Sequence, residues 1–221
     1  LRGKAPRRTP PEGDLKEMPD LIIALPKGRM YKSSVSLLEK AGLNCACLHQ
    51  GGRELFFSSG EGFRFLLVKP VDLPTYVERG VADLGIIGKD VLLEQNRELF
   101  EILDLCFGYC RLVVAGPAEK KGQTCSYVAT KYPHITEKYF RSKGKQVEVI
   151  KLHGSIELAP RFQLADAIVD LVETGATLKA NGLVEWEQIA ESSARLVANR
   201  SSFHFLRKQI NELVCKLKEA L

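Results

Sequence analysis

Between Ala167 and Leu178 the chain reads AIVDLVETGATL, which sets a carboxylate, Asp170, near the end of an apolar run and follows it with small and hydroxyl residues. An apolar strand here would deliver Asp170 to its C-terminal end, and the loop after it would open a helix. Such a loop can aim several backbone N–H groups at one anion, and the helix dipole favours negative charge there. Gly175 lets the backbone approach closely, and Thr174 and Thr177 add hydroxyl donors. An ionised Asp170 can only accept, which suits a vicinal diol. One anion cradle beside one diol acceptor is what a 5-phosphoribosyl group requires. The same residues also fit an ordinary strand-to-helix connection capped by a threonine.

The elements that must position this loop follow from the apolar periods. Leu21–Leu25 reads as a buried strand, and Ser33–Ala41 as a helix stopped by Gly42. Residues 54–58 and 63–68 read as a hairpin around Gly60, Glu61 and Gly62. Asp72 can cap a short helix running to Tyr76, with Pro74 in its first turn. Residues 83–87 form a strand and 89–95 a helix. A second series starts at Arg111–Ala115, with strands at 125–129, 147–150 and 167–172 and helices at 132–143, 155–164 (interrupted by Pro160) and 177–181. Residues 183–187 and 195–198 read as further strands. An amphipathic helix, 203–221, carries Leu206, Ile210, Leu213, Val214, Leu217 and Leu221 on one face.

This alternation predicts an α/β protein of two small lobes, with the ligand site in the cleft between them. Lobe I is expected over 20–107 plus 201–221, and lobe II, with the anion-binding loop, over 108–200. Residues 1–19 hold four prolines and a basic cluster without an apolar period, and are expected to be a disordered tail.

Composition narrows the function classes. A 45% hydrophobic, 27% charged chain of 221 residues fits a globular protein. No run approaches a bilayer span and the first twenty residues lack a signal's apolar core, so no membrane association and a cytoplasmic location are expected. The net charge of +5 is modest, and no basic stripe interleaved with aromatics points to nucleic acid. The densest basic stretch, Lys138, Arg141, Lys143 and Lys145, reads as a solvated face. The six cysteines lack zinc-site spacing and read as thiols, and no metal ligand set is expected.

Five blocks extend the signal: LPKGRM at 25–30, DLPTYVE at 72–78, ADLGIIGKDVL at 82–92, GSIELAP at 154–160 and LADAIVD at 164–170. With the Thr174–Thr177 loop they resemble, in order, the signature blocks of the ATP phosphoribosyltransferases, from about residue 20 to the C-terminus. The resemblance implies two lobes like the type II periplasmic binding proteins. It implies transfer of a phosphoribosyl group from its diphosphate to N1 of ATP, the first step of histidine biosynthesis. It also assigns roles. Arg29 and Arg53 face pyrophosphate or nucleotide phosphates, as catalytic residues. Lys27, Gly28 and Asp72 lie on the nucleotide side, where Asp72 can also be only a helix cap. Gly154, Ser155, Glu157, Asp170, Thr174, Gly175, Ala176 and Thr177 bind the phosphoribosyl diphosphate. Glu157 reads equally as a ribose or magnesium-water contact and as an exposed helix carboxylate. Mg²⁺ is expected to bind mainly through substrate phosphates.

The chain ends after the 203–221 helix, so it resembles the family's short form. That implies a homodimer within a larger hetero-oligomer containing a regulatory subunit related to histidyl-tRNA synthetase, and an isolated chain insensitive to histidine. Lys69, where arginine is frequent, and Arg161, Phe162 and Gln163 depart from the family pattern. A two-lobed solute-binding module and a salvage nucleobase phosphoribosyltransferase are the alternatives. The latter often carries two adjacent acids where this chain has Asp170 and Leu171.

Overall fold

Runs such as LIIALP and LGIIG are apolar at nearly every position because strands covered on both faces have no solvent side. The computed structural model describes residues 20–49 and 52–221, so the expected tail at 1–19 lies outside the described residues. In chain order the elements begin with β1 (Leu21–Pro26), α1 (Tyr31–Lys40), β2 (Phe56–Ser58), β3 (Phe63–Val68), α2 (Leu73–Glu78), β4 (Leu84–Gly88), α3 (Lys89–Gln95) and β5 (Phe100–Asp104). They continue with β6 (Cys110–Pro117), β7 (Tyr127–Thr130), α4 (Pro133–Ser142), β8 (Glu148–Lys151), α5 (Leu158–Arg161), β9 (Ala167–Val172), α6 (Ala176–Ala180), β10 (Leu183–Ser192), β11 (Ala194–Ala198), α7 (Arg200–Phe205) and α8 (Arg207–Ala220).

The chain folds as two compact units. Unit 1 holds the described residues up to Ile87 together with Arg97–Leu105 and Arg195–Leu221. Its sheet has the order β2-β3-β1-β4-β11-β5. Strands β3 and β4 run parallel to β1, while β2 is antiparallel to β3 and β5 to β11. Unit 2 holds Gly88–Asn96 and Cys106–Ala194. Its sheet has the order β10-β6-β9-β7-β8, with β7, β8 and β9 parallel and β6 antiparallel to both β9 and β10.

These boundaries correct those expected from sequence in two places. Strand β11 lies in unit 1 because it pairs with β5, a strand the apolar pattern did not announce. Glu101 and Asp104 interrupt the β5 run, and both bridge Arg195 of β11, at 3.3 and 2.9 Å. Helix α3 lies in unit 2 because its carboxylates are used there. Asp90 accepts from the Ser192 hydroxyl at 2.8 Å and from Tyr132 Oη at 3.1 Å. Both Glu94 oxygens accept backbone N–H groups in the first turn of α4, from His134 and Ile135 at 3.0 Å.

Two expected helices are shorter or broken. Residues 155–164 give only the turn α5, since Ser155 and Gln163 take φ of +50° and +57° and Pro160 has no N–H to donate. The terminal helix divides at Leu206 into α7 and α8. Helix α8 packs on α1 and buries Ile210, Leu213, Val214 and Leu217, whereas Leu221 is half exposed. Strand β10 runs past the expected 187 to Ser192, through two bulges.

Asn199 starts this C-terminal segment and ties it to unit 1. Its Oδ1 accepts from Ser201 and Ser202 N–H at 2.9 and 3.0 Å, and its Nδ2 donates to the Val77 and Glu78 carbonyls. Asn199→Ala removes a helix cap and leaves buried groups unpaired, so it is expected to cost about 2 kcal/mol. Urea denaturation should show that loss as a lower midpoint with unchanged slope.

Candidate active site

Parallel strands place their C-terminal ends along one sheet edge, which is where α/β proteins gather their ligand groups. In unit 2 three such ends coincide. Thr130 of β7 is in register with Lys151 of β8 and Val169 of β9. Beyond β8 come His153, Gly154, Ser155 and Glu157, and beyond β9 the segment Glu173–Thr177. The eight residues expected to hold the phosphoribosyl diphosphate therefore all belong to one edge of one unit.

The loop after β9 turns the chain into α6 through a left-handed residue. Gly175 is left-handed, with φ +79°, and precedes α6 without a side-chain cap. A Cβ added at Gly175 would lie 3.7 Å from Glu185 and 3.9 Å from Val172, so backbone conformation and not crowding calls for glycine. Thr174, Ala176 and Thr177 are exposed. The threonine-capped connection is made only loosely, by Thr174 Oγ1 accepting from Ala176 N–H at 3.4 Å. Ser155 contributes a second positive φ at this edge.

The block Leu164–Asp170 contains two aspartates with separate duties. Asp166 is engaged by the fold: it accepts from the backbone N–H groups of Ser126 and Tyr127, which hold its carboxyl below the usual range. Asp170 accepts only the Leu171 N–H, at 2.9 Å, among the described residues. Burial is the largest influence on it and pushes its pKa up. The Leu171 N–H and the Lys131 charge oppose that, and the Glu157 charge adds to it. Alternation along β9 puts Asp170 on the face of Ile168 and Val172, away from α4.

The charges acting on Asp170 also reveal a residue that the sequence pattern did not single out. Lys131, exposed just after β7, is the cation nearest in effect to Asp170. Its only sequence signal is a basic residue directly after a buried strand, which many surface lysines share. His153, the nearest imidazole to the Gly154 block, is exposed.

Unit 1 gathers the remaining expected residues in the same way. Strand β1 ends at Pro26 in register with Val68 of β3, so Lys27, Gly28 and Arg29 leave the sheet at the edge that Asp72 reaches. Strand β2 is antiparallel to β3, which brings its start, preceded by Arg53, to that edge too. Gly28 has φ +90°, and its carbonyl accepts from Tyr31 N–H to turn the chain into α1. Lys27, Arg29, Arg53 and Asp72 are all exposed.

The cap expected of Asp72 is not formed: Asp72 precedes α2 in right-handed conformation, and no side-chain bond closes the helix. Its carboxylate is thus left for solvent or ligand. In unit 2, Asp90 is engaged within the fold by Ser192 and Tyr132. Among the described residues no three His, Cys, Asp or Glu side chains come together as a metal-holding group. None of the described helices is long and apolar enough to cross a membrane.

Comparison with known proteins adds independent findings. The family model HisG, ATP phosphoribosyltransferase, matches residues 69–219. An ATP phosphoribosyltransferase from Thermoanaerobacter sp. (strain X514) is 52% identical over 207 residues, covering 92% of this chain and 97% of the relative. ATP phosphoribosyltransferase 2 from Geobacter sulfurreducens is 52% identical over 201 residues, covering 88% and 95%. Among solved structures, a chain of the ATP phosphoribosyl transferase (HisG:HisZ) complex from Thermotoga maritima superposes with TM-score 0.79 at 36% identity, covering 90% of this chain and 98% of that one. The alkanesulfonate-binding protein SsuA from Xanthomonas axonopodis pv. citri superposes with TM-score 0.57 at 14% identity, covering 93% and 74%, a likeness of fold alone.

Proposed function

The chain belongs to the ATP phosphoribosyltransferase family, and on that premise we propose how its residues share the reaction. The enzyme joins phosphoribosyl diphosphate to N1 of ATP, giving N1-phosphoribosyl-ATP and pyrophosphate, the first step of histidine biosynthesis. Support for the assignment below comes above all from one observation: Asp170, the Gly175 loop and the Gly154–Glu157 turn share one strand edge.

The bond from C1 of the ribose to the pyrophosphate oxygen breaks, and its electron pair leaves with pyrophosphate. The N1 lone pair of adenine forms the new bond. No proton has to leave N1 first, so bond formation needs no general base. The residues act by placing two anions and receiving charge. The backbone N–H groups and hydroxyls of Thr174, Gly175, Ala176 and Thr177 hold the 5-phosphate. Asp170 accepts from the ribose diol, with Glu157 beside it, and Gly154 and Ser155 shape the turn next to the diphosphate. Arg29 and Arg53 receive the charge that grows on pyrophosphate, a task for bidentate guanidinium groups. Lys27, Gly28 and Asp72 serve the nucleotide.

The charges of Asp170 and Glu157 act on one another, and a carboxylate of this kind suits a water carried by a hard cation. Mg²⁺ arriving with the diphosphate would be held mainly by the substrate phosphates, with Glu157 at one of its waters, and would neutralise pyrophosphate charge. We place the enzyme in the cytoplasm. We also propose a homodimer that joins a synthetase-like regulatory subunit, since this chain spans nearly the whole of a chain found in a HisG:HisZ complex.

Gly175→Val tests the cradle. A Cβ at this position meets only ordinary contacts, so folding should survive, with a loss of about 1–2 kcal/mol from the left-handed backbone. Affinity for phosphoribosyl diphosphate should fall at least tenfold, about 1.4 kcal/mol. Unchanged affinity by calorimetry would remove the loop from the site.

A further inference from the structure

A second recess lies on the other face of the unit 2 sheet, against α4. The register between β10 and β6 slips at Trp186, with Glu185 opposite Ala115 and Glu187 opposite Val114. Such a bulge re-aims the side chain it carries. The indole lies flat over Gly116, where an added Cβ would come within 2.4 Å of the ring. Among the described residues the buried Trp186 Nε1 has no hydrogen-bond acceptor, although an indole N–H in a protein interior is ordinarily paired.

The recess beside this ring measures about 150 Å³, a size that admits a single six-membered ring. Its apolar wall is Val114, Phe140 and the indole. Its ionic lining is Lys121, Lys143, Lys145 and Glu187. Three cations against one carboxylate leave an excess of two positive charges. Cys125 also lines the recess, and burial raises its thiol to about 11, so it adds no negative charge at neutral pH. Tyr139 donates its hydroxyl to Glu187, and Lys143 pairs with the same carboxylate oxygen at 3.3 Å, so one of the two Glu187 oxygens is already engaged. Lys121 donates a hydrogen bond to the Glu185 carbonyl, and the Lys145 charge acts on Glu187. Donors outnumber acceptors around an apolar floor.

We propose that this recess binds a small organic anion with one planar ring, whose ring stacks at Trp186 and whose anionic group meets Lys143 and Lys145. Asp170 and the Gly175 loop lie on the opposite face of the sheet, so this is a site apart from the one that performs the transfer.

Trp186 is the chain's single tryptophan, so its fluorescence and its one indole N–H resonance report on this recess. The probes are benzoate and phenyl phosphate, with phenol and inorganic phosphate as controls. Either aromatic anion, or both, should give a saturable fluorescence change and move the indole N–H resonance. Which one binds tighter identifies the anionic group as carboxylate or phosphate. Phenol and inorganic phosphate should bind at least tenfold more weakly, a difference of about 1.4 kcal/mol. Lys143→Gln with Lys145→Gln, both exposed positions, should weaken binding at least tenfold while leaving pyrophosphate release unchanged. The proposal is overturned by any of three results: no saturable response to either aromatic anion up to about 10 mM, the weak limit for so small a ligand; equal binding of a control; or an unaltered response in the lysine variant.

Discussion

Arg29→Ala and Arg53→Ala should each slow the single-turnover rate of phosphoribosyl transfer by about 10²-fold, since removing one preorganised donor to developing charge costs on the order of 3 kcal/mol. The effect should fall on the chemical step, because pyrophosphate gains its charge only as the C1 bond breaks. Folding should be unchanged: both side chains are exposed in turns at one edge of the unit 1 sheet. Lysine at either position should restore only part of the rate, because a point charge cannot reproduce a bidentate contact. Rapid-quench measurement at saturating substrate separates this from a binding defect. Parent-like single-turnover rates in both variants would make the two arginines bystanders.

Asp170→Asn should lower kcat/KM by about 10- to 100-fold while making the protein more stable at neutral pH. The activity loss reflects a charged acceptor replaced by a neutral one, worth about 1.5–3 kcal/mol. The stability gain follows from linkage. Burial raises the Asp170 pKa, so the folded chain binds this proton more tightly than the unfolded chain does. Stability of the parent is then highest when Asp170 is protonated, and falls as pH rises from the unfolded pKa through the raised folded one. Asparagine never ionises, and its Oδ1 can still accept the Leu171 N–H. The variant should therefore melt higher than the parent at pH 7, with the difference vanishing as pH drops below the unfolded pKa. A variant no more stable than the parent at pH 7 would mean that Asp170 carries no desolvation strain. Activity equal to the parent's would remove it from the ribose.

The strand cores were legible because buried parallel strands announce themselves as short apolar runs, as at 21–25, 83–87 and 167–172. The strand-to-helix turn at 173–177 was legible for a related reason: a glycine among small and hydroxyl residues directly after such a run marks a turn into a helix. What the sequence hid depends on pairing across long chain distances. Strand β5 mixes charge into its apolar pattern, and only the Arg195 bridges to Glu101 and Asp104 explain those charges. The assignment of α3 to unit 2 rests on Asp90 and Glu94, whose partners lie roughly 40 to 100 residues away. Asp72 offered a cap by spacing, yet its side chain closes no turn. Leu206 has the period of a continuous helix, and backbone geometry alone shows the break there. Lys131 carried only a signal that many surface lysines share; the parallel register of β7 and β9 is what brings its charge to Asp170.

The central claim is that this chain transfers a phosphoribosyl group to ATP through the residues named above. It is tested most directly by pyrophosphate release from phosphoribosyl diphosphate and Mg²⁺ with ATP or with free adenine as acceptor, run with and without a synthetase-like regulatory subunit. The account predicts release with ATP, a product with the mass of N1-phosphoribosyl-ATP, and no release with adenine. Release with adenine and none with ATP under both conditions would contradict it.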